Sequence, residues 1–347
     1  MSIESAKAYI ERTKANKVKN DDITEFTRYH KDIYLVQLFY DIWIILKGVI
    51  YIKTNRINRK IILSILVCLG VCYMQAFTLT AQVYASPISD KWLNKQIKEL
   101  STKKSTQFAV YIKPLNQQGL DVVFNSHKMP SASLIKIPIM IEAFHQKKQG
   151  LLDFDEPVTI RHSLTVEGGS VYNLADGTVL TIGQLVELMI VQSDNSATNI
   201  LIDKLKMSSV NAMIKKMGCP DTVLQRKMMD FEAVKQGRQN YTTVTDMAKI
   251  LEKLYSLQCL DPESDKSMLE ILQRQEDNTI IPAQLPHHIK IAHKTGQLDG
   301  MNYDCGIIYG QSNNYILCIM AEKVKNEPQA FYDMSSISLA IYDQIGR

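Results

Sequence analysis

Neither sign of charge dominates this sequence of 347 residues. Its 40 Lys and Arg residues nearly balance its 36 Asp and Glu residues, which leaves a formal net charge of +4 at pH 7. A surplus this small gives no reason to expect a nucleic-acid partner, because such partners are bound by clustered positive charge. The sequence also lacks a recognisable DNA- or RNA-binding motif, internal repeats and low-complexity linkers. These absences favour an ordinary globular domain that does not bind nucleic acid.

The six cysteines lack the spacing of a metal site. None forms a C-x-x-C pair or lies near histidines at zinc-binding spacing, so we expect no metal. Cys68 and Cys72 fall in an apolar run and are interpreted as membrane residues. The other four could form disulfides in an exported protein, but the sequence does not say which would pair with which. These four are Cys219, Cys259, Cys305 and Cys318.

No charged residue occurs between residues 61 and 89. Residues 61–85 therefore predict a transmembrane anchor or a signal segment, since about 20 apolar residues can span a bilayer as a helix. Four basic residues within residues 53–60 precede the run and should stay cytoplasmic, which places the following chain outside the cytoplasm. Residues 83–85 (VYA) could be cut by a signal peptidase, so membrane anchoring and secretion both stay open.

Residues 1–60 form a leader that is too long for an ordinary signal peptide. Within it, residues 33–52 are strongly apolar, but Asp41 and Lys47 interrupt them. Charges near the middle of a helix make it a poor membrane-spanning segment. We therefore expect an interfacial helix on the cytoplasmic face of the membrane.

Residues 88–347 have the pattern of a soluble domain with strands at both ends and helices between them. Residues 108–115 and 120–125 predict a β-hairpin, and three more strands are predicted at 289–293, 303–309 and 315–321. Helices are predicted from Ser133 to about residue 149, through most of 180–275, and at 329–345.

The expected fold class is α+β, with an antiparallel sheet, terminal helices and an all-helical insertion. The sheet lobe would comprise residues 88–149 and 278–347, and the helical lobe residues 150–277. A substrate cleft is expected between the two lobes.

Three short motifs fall where that cleft is expected: residues 133–136 (SLIK), 193–195 (SDN) and 294–296 (KTG). Each motif alone has an ordinary interpretation. In chain order these are an amphipathic helix with a surface lysine, a helix-capping turn and the end of a strand. Ser-x-x-Lys even recurs at residues 101–104, in a polar stretch that we interpret as coincidence. The order and spacing are more specific, because 60 positions separate Ser133 from Ser193 and 101 separate Ser193 from Lys294.

The first motif can supply an activated nucleophile. A serine hydroxyl reacts poorly at neutral pH unless a base lies beside it. Ser133 and Lys136 are one helical turn apart and share a face. Aliphatic residues flank Lys136, so we expect a buried amine whose pKa is lowered further by Lys294 nearby. That amine could accept the serine proton, and the backbone N–H of Ser133 at a helix start could bind the oxyanion.

The trio of motifs closely resembles that of class A β-lactamases and related penicillin-binding serine hydrolases, over roughly residues 90–347. The resemblance implies a bacterial β-lactamase that opens the β-lactam ring through an acyl-enzyme on Ser133. It implies that Lys136 is the base partner and that Ser193 passes a proton to the leaving nitrogen. It implies neither a metal nor an organic cofactor, and we expect the catalytic domain to be monomeric.

The same resemblance assigns the substrate contacts. Asn195 would bind the side-chain amide of the substrate, and Lys294 and Thr295 its carboxylate. The backbone N–H of Gln297 would complete the oxyanion hole with that of Ser133. Many members place an arginine on the strand beside this site, whereas this chain has none between Lys294 and its last residue. We therefore expect weak affinity for classical penicillins.

One stretch departs from the family pattern. Members carry Arg-x-Glu-x-x-x-Asn in a loop, and the glutamate activates the water that hydrolyses the acyl-enzyme. Aligning Arg226 puts Met228 at the glutamate position, Glu232 at the asparagine position and Tyr241 where an acid closes the loop. We expect Glu232, or less readily Asp230, to activate the water. The other interpretation is a solvated carboxylate, in which case hydrolysis stalls after acylation.

Three functions are compatible with these residues. The leading one is a β-lactamase; the second is a D-alanyl-D-alanine carboxypeptidase-like enzyme acting on peptidoglycan peptides. Both use the same nucleophile and differ in deacylation. The third is a non-catalytic β-lactam sensor, with a membrane segment and a serine domain that stays acylated.

Overall fold

The computed structural model describes residues 106–116 and 121–347, together with Lys95 and Ile97. All of them belong to one unit, Gln82–Arg347. The predicted leader, its apolar helix at residues 33–52 and the predicted membrane segment at residues 61–85 lie outside the described residues. Among the residues that are described, no helix combines the length and the apolar character needed to cross a membrane.

An antiparallel sheet of five strands, ordered β2-β1-β9-β8-β7, draws its strands from both ends of the described chain. They are β1 (Gln107–Pro114), β2 (Val122–Phe124), β7 (Lys290–Leu298), β8 (Met301–Tyr309) and β9 (Asn314–Glu322). Two short antiparallel pairs lie elsewhere: β3 (Met129–Pro130) with β6 (Tyr241–Thr242), and β4 (Pro157–Thr159) with β5 (Val179–Thr181).

Helices fill the middle of the chain and follow the last strand. They are α1 (Lys136–Lys148), α2 (Ile182–Val191), α3 (Asn195–Leu205), α4 (Met207–Lys216), α5 (Phe231–Lys235), α6 (Val244–Tyr255), α7 (Pro262–Leu272) and α8 (Glu327–Ile341). Side-chain caps start most of them; Thr181 and Gln184 form a capping box at α2, for example. The predicted α+β class, with an antiparallel sheet and intervening helices, is confirmed.

Both faces of the sheet are buried, which explains why every residue between the two ends of β8 and β9 is buried and why β9 is almost entirely apolar. Side chains alternate between the two faces. Tyr111 and Met320 therefore enter a core shared with the helices from the middle of the chain, whereas Val110 and Ile319 enter a second core shared with α8. The sheet is thus the middle layer of the fold.

The structure corrects one strand boundary. The prediction ends a strand at residue 293 and places Lys294 at its end, but β7 continues to Leu298 and contains the third motif. It continues because every residue up to Leu298 has a partner in β8, with Leu298 opposite Met301 across a two-residue turn. Gly300 adopts φ +67° in that turn. Residues 294–296 therefore lie within an edge strand, whose free side can line a cleft.

Candidate active site

Ser133 lies on a short 3-10 turn, Ala132–Ile135, directly before α1. The preceding Ala132 adopts φ +46°, a left-handed conformation that is costly for a residue with a side chain. The turn is anchored from behind, because the N–H of Ser131 donates to the carbonyl of Asn240 at 2.8 Å. The result is a strained, fixed turn that leaves Ser133 partly exposed at the start of a helix.

Strand β7 passes directly against this turn. A Cβ added to Gly296 would lie 3.1 Å from Cβ of Ala132 and 3.2 Å from the backbone nitrogen of Ser133. Only a residue without a side chain fits this approach without displacing backbone. Gln297, whose N–H is predicted to complete the oxyanion hole, is the next residue of β7.

We expect Gly296→Ala to slow acylation by a penicillin about tenfold or more. The added methyl would push β7 away from Ser133 and misplace the oxyanion donors, whose full loss costs about 100-fold or more. The measurement is the second-order rate of labelling by a fluorescent penicillin. Gly183→Ala in α2 is the matched control, since its methyl would meet Phe154 O at a similar 3.3 Å. An equal effect of both substitutions would contradict the assignment.

Lys136 joins the first motif to the second. Its amine is fully buried and donates to Ser193 O at 2.6 Å, to Ser193 Oγ at 3.2 Å and to Asn195 Oδ1 at 2.8 Å. Burial lowers the pKa of Lys136 well below its ordinary value, and the charge of Lys294 lowers it further, against a smaller opposing effect of Asp194. The predicted dry amine beside the nucleophile's turn is therefore present.

Lys294 is a second buried lysine, placed on β7. Its amine donates to Thr295 O at 3.0 Å. Burial lowers the pKa of Lys294 to about 8, while the carboxylates of Asp304 and Asp277 act in the opposite direction. Lys294 therefore keeps its proton at neutral pH, whereas burial and the charge of Lys294 both lower the pKa of Lys136. One lysine can act as a base and the other as a cationic anchor.

This difference predicts a pH dependence of acylation. Above about pH 8 Lys294 loses its proton, so the labelling rate by a carboxylate-bearing β-lactam should fall, at most about tenfold per pH unit. Lys294→Arg should remove the fall, because a guanidinium stays charged throughout this range. A profile of labelling rate that stays flat from about pH 7 to about pH 10 would contradict an anchoring charge at Lys294.

A glycine-containing loop, residues 166–171, holds the second motif. The buried carboxylate of Asp194 accepts from the N–H of Val171 at 2.8 Å, and the N–H of Asn195 donates to Gly168 O at 2.8 Å. Gly169 adopts φ +108°, and a Cβ there would lie 2.1 Å from Asp194 Oδ2. Ser193, directly before Asp194, adopts φ +56°. The loop thus fixes a strained turn that holds Ser193 against Lys136.

The remaining residues predicted from the third motif lie on β7. Thr295 is buried and its carbonyl accepts from Lys294. The side chain of Gln297 is directed to α8, where its Nε2 donates to Glu327 Oε1 at 2.8 Å. The side chain of Gln297 is therefore held by α8, and the role of its backbone N–H stays a prediction.

Glu232 is not among the residues that these contacts bring together. It lies on α5 with its side chain 74% exposed, and it pairs with Lys235 Nζ at 2.6 Å. Asp230 caps the same helix, since its Oδ1 accepts from the N–H of Ala233 at 2.9 Å. Both carboxylates are used locally, which agrees with the solvated interpretation. Water activation by Glu232 gains no support here and stays a prediction.

Met228, which takes the place of the family's glutamate, is fixed by α3. Asn199 Oδ1 accepts from the N–H of Met228 at 2.7 Å, and Asn199 Nδ2 donates to Met228 O at 3.1 Å. The side chain of Met228 packs into the core shared with the helices. The position is well defined and carries no acid–base group.

Amides close the loop around Arg226, a feature that the sequence reasoning missed. Asn240 Oδ1 accepts from the N–H groups of Gln225 and Arg226 at 2.7 and 3.0 Å, and Gln239 Oε1 accepts from Arg226 Nε at 2.8 Å. Tyr241, at the sequence position of the family's closing acid, lies in β6 and pairs through its backbone with Val223. The sequence feature that could have indicated this closure is the pair of amide residues, Gln239 and Asn240, directly before Tyr241 and the threonines.

Comparisons with known proteins agree with this geometry. A β-lactamase from Sphaerobacter thermophilus matches with 26% identity and a TM-score of 0.68, over 72% of this chain and 95% of that one. PBP-A matches with 27% identity and a TM-score of 0.67, over 74% and 96%, and a mutant of it is known as an acyl-enzyme complex with penicillin G. An ancestral class A β-lactamase, 20% identical with a TM-score of 0.67 over 72% and 99%, shares the fold.

A family model also matches most of this chain. A model of the β-lactamase enzyme family matches residues 91–345. This range contains all three motifs and every residue assigned to the site above. Because it also covers well over half of the sequence, the chain belongs to the β-lactamase enzyme family and is a hydrolase of the serine β-lactamase and penicillin-binding type.

Proposed function

We propose that β-lactams acylate Ser133 and that the acyl-enzyme is released slowly. The observation that carries the proposal is the set of contacts around Lys136. One buried amine reaches Ser193 and Asn195 from the helix that begins after Ser133, while Gly296 lies against Ser133 from the other side. Three motifs that are far apart in the sequence thus form one site with a nucleophile, a base, a proton relay and an anion anchor.

The reaction follows from the position of each group. Lys136 in its unprotonated form, which burial favours, takes the proton of Ser133 as Oγ attacks the amide carbonyl. The backbone N–H groups of Ser133 and Gln297 stabilise the oxyanion. Ser193 Oγ, 3.2 Å from Lys136 Nζ, passes the proton to the leaving nitrogen. Ser133 then carries the acyl group as an ester.

Substrate binding falls to the groups on either side of this path. We propose that Asn195 binds the amide of the substrate side chain, because its Nδ2 lies at the loop of residues 166–171, where it donates to Glu167 O at 2.9 Å. Lys294 and Thr295 on β7 would hold the substrate carboxylate. A β-lactam, or a peptide that ends in a carboxylate, has both features.

Slow release follows from the residues around the ester. Hydrolysis needs a base to activate water, and Met228 occupies the place where relatives of class A type carry a glutamate. Glu232 is solvated and paired with Lys235. With no base held at this point, the ester should persist. Slow turnover favours a penicillin-binding enzyme that acts on peptidoglycan peptides, in agreement with the acyl-enzyme known for the mutant of PBP-A.

Intact-protein mass spectrometry after mixing with benzylpenicillin tests the proposal. We expect an adduct that forms on the wild type, is absent from Ser133→Ala, and lasts for minutes or longer. Nitrocefin hydrolysis should stay below about 1 per second, the low end for enzymes. Fast hydrolysis without an accumulating adduct would favour the β-lactamase alternative, and Glu232→Gln would then show whether Glu232 supplies the base. Absence of both adduct and hydrolysis would overturn the proposal.

The two slow alternatives differ in what they do without antibiotic. A carboxypeptidase releases D-alanine from peptides ending in D-alanyl-D-alanine, whereas a sensor does not. Ser133→Ala is the control for this assay.

On the sequence pattern alone, we further propose that the domain acts as a monomer outside the cytoplasm, tethered or released through residues 61–85. Sequencing the N-terminus of the protein from the membrane fraction tests this placement; an intact cytosolic chain would contradict it.

A further inference from the structure

Two of the cysteines face each other across neighbouring strands. Cys305 on β8 and Cys318 on β9 are register partners in the antiparallel pair. Both are fully buried and belong to the core shared with the helices, so their side chains lie on the same face of the sheet. The sequence left open which of the four cysteines could pair, and this register singles out Cys305 and Cys318.

The two thiols lie close enough for one to affect the ionisation of the other. Burial raises the pKa of Cys305 well above its ordinary value, and a hydrogen bond with the thiol of Cys318 raises it further. Directly opposed residues of an antiparallel pair have Cβ atoms about 4.5–5.5 Å apart, and a disulfide needs about 3.5–4.5 Å. A small approach of β8 to β9 would therefore suffice for a bond.

The other two described cysteines lack such an arrangement. Cys219 is buried near α6, where its thiol donates to Asp246 O at 3.6 Å. Cys259 lies in the segment between α6 and α7 and is only partly buried. Neither is a strand partner of another cysteine. In the structure all four are thiols.

We propose that Cys305 and Cys318 form a cross-strand disulfide when the chain folds in an oxidising compartment. Cys305 is also the register partner of Lys294 on β7, and Cys318 is that of Tyr111 on β1. The bond would therefore fix β8 to β9 in the row of the sheet that holds the anchoring lysine. The proposal goes beyond the proposed function and does not depend on it.

The chemistry is a thiol–disulfide exchange with a disulfide of the compartment, either a small molecule or a protein oxidant. One thiolate attacks the oxidant and releases one thiol; the second cysteine then attacks the mixed disulfide and releases the other. The two cysteine sulfurs lose two protons and two electrons, and the oxidant gains them as two thiols. Because both sulfurs are inaccessible in the fold, the exchange must take place before folding is complete.

Once formed, the bond should be protected from reductants by the same burial. It closes a short loop, since Cys318 comes 13 positions after Cys305. A loop of this size predicts a folding equilibrium about 100-fold more favourable than that of the dithiol. The alternative is that both thiols serve only as small apolar side chains of the core.

Refolding of the full chain in detergent tests the two possibilities. The chain is unfolded with reductant and refolded with either oxidised glutathione or a reductant. Free thiols are alkylated under denaturing conditions, disulfides are then reduced, and the released thiols receive a second label. Peptide mapping of the glutathione sample should place the second label on Cys305 and Cys318, and the first label on Cys219 and Cys259.

Thermal unfolding supplies an independent readout. The oxidised chain should melt about 5–10 °C above the reduced chain. This difference should vanish in a Cys305→Ala/Cys318→Ala variant and persist in Cys219→Ala. The proposal is overturned if both positions carry the first label after refolding in oxidised glutathione, or if the bridge forms between other cysteines. Neither readout uses penicillin, so failure here is distinguishable from failure of the acylation proposal.

Discussion

Replacing Lys136 by methionine is expected to slow acylation of Ser133 by a penicillin about 1,000-fold, within the range of general-base catalysis. Methionine fills the buried space of the lysine stem but cannot accept a proton. Lys136→Arg should cause a similar loss. A guanidinium could still donate to Ser193 and Asn195, but it does not lose its proton in a protein. The pair of variants thus separates the role of a base from that of a structural donor.

Lys148→Met is the matched control, because Lys148 lies at the exposed end of the same helix, where it pairs with Asp261. It should acylate within about twofold of the wild type, since surface ion pairs contribute little. Labelling rates with a fluorescent penicillin and melting temperatures of all variants form one data set. Wild-type labelling by Lys136→Arg with an unchanged melting temperature would contradict the assignment of the base.

The second large effect is expected from Met228→Glu, which should shorten the lifetime of the penicillin adduct about 100-fold. A carboxylate at this position would restore the base that activates water, and a general base contributes at least about this factor. Burial should raise the pKa of the new carboxyl, so the gain should increase as the pH rises toward neutrality. Some loss of stability is expected, because Met228 packs in the core.

The adjacent Met229→Glu is a sharp control for this experiment. It adds the same charge to the same loop, but Met229 is 37% exposed and is not held by Asn199. The adduct should live as long in this variant as in the wild type. Time courses of the intact mass give the lifetime directly. If Met228→Glu is acylated normally and its adduct persists unchanged, the missing base is not what limits release.

The parts of the site that are formed by residues close together in the sequence were predictable. Ser133 and Lys136 are three positions apart in a helical pattern, and aliphatic neighbours indicated that the amine would be buried. The order of the three motifs indicated one cleft. The contacts of Lys136 with Ser193 and Asn195 join the first two motifs across 57 to 59 positions of sequence.

The parts that depend on tertiary contacts were not predictable in the same way. The apolar pattern of β7 ends before Lys294, but pairing with β8 extends the strand to Leu298. Gly168 and Gly169 carry no periodic signal, although both pack against the second motif. An ungapped alignment from Arg226 predicted that Glu232 lies beside the site. In the structure Glu232 lies on the short helix α5, and its side chain is exposed.

Peptide mapping of the acylated protein is the decisive test of Ser133 as the nucleophile. The full chain is mixed with benzylpenicillin, and the reaction is quenched once about one acyl group per chain has been added. The protein is then digested, and the modified peptide is sequenced by mass spectrometry. We expect a single acylated residue, Ser133, and no detectable label at the same time point in Lys136→Met. Acylation of Ser101, Ser193 or any other residue in place of Ser133 would contradict it.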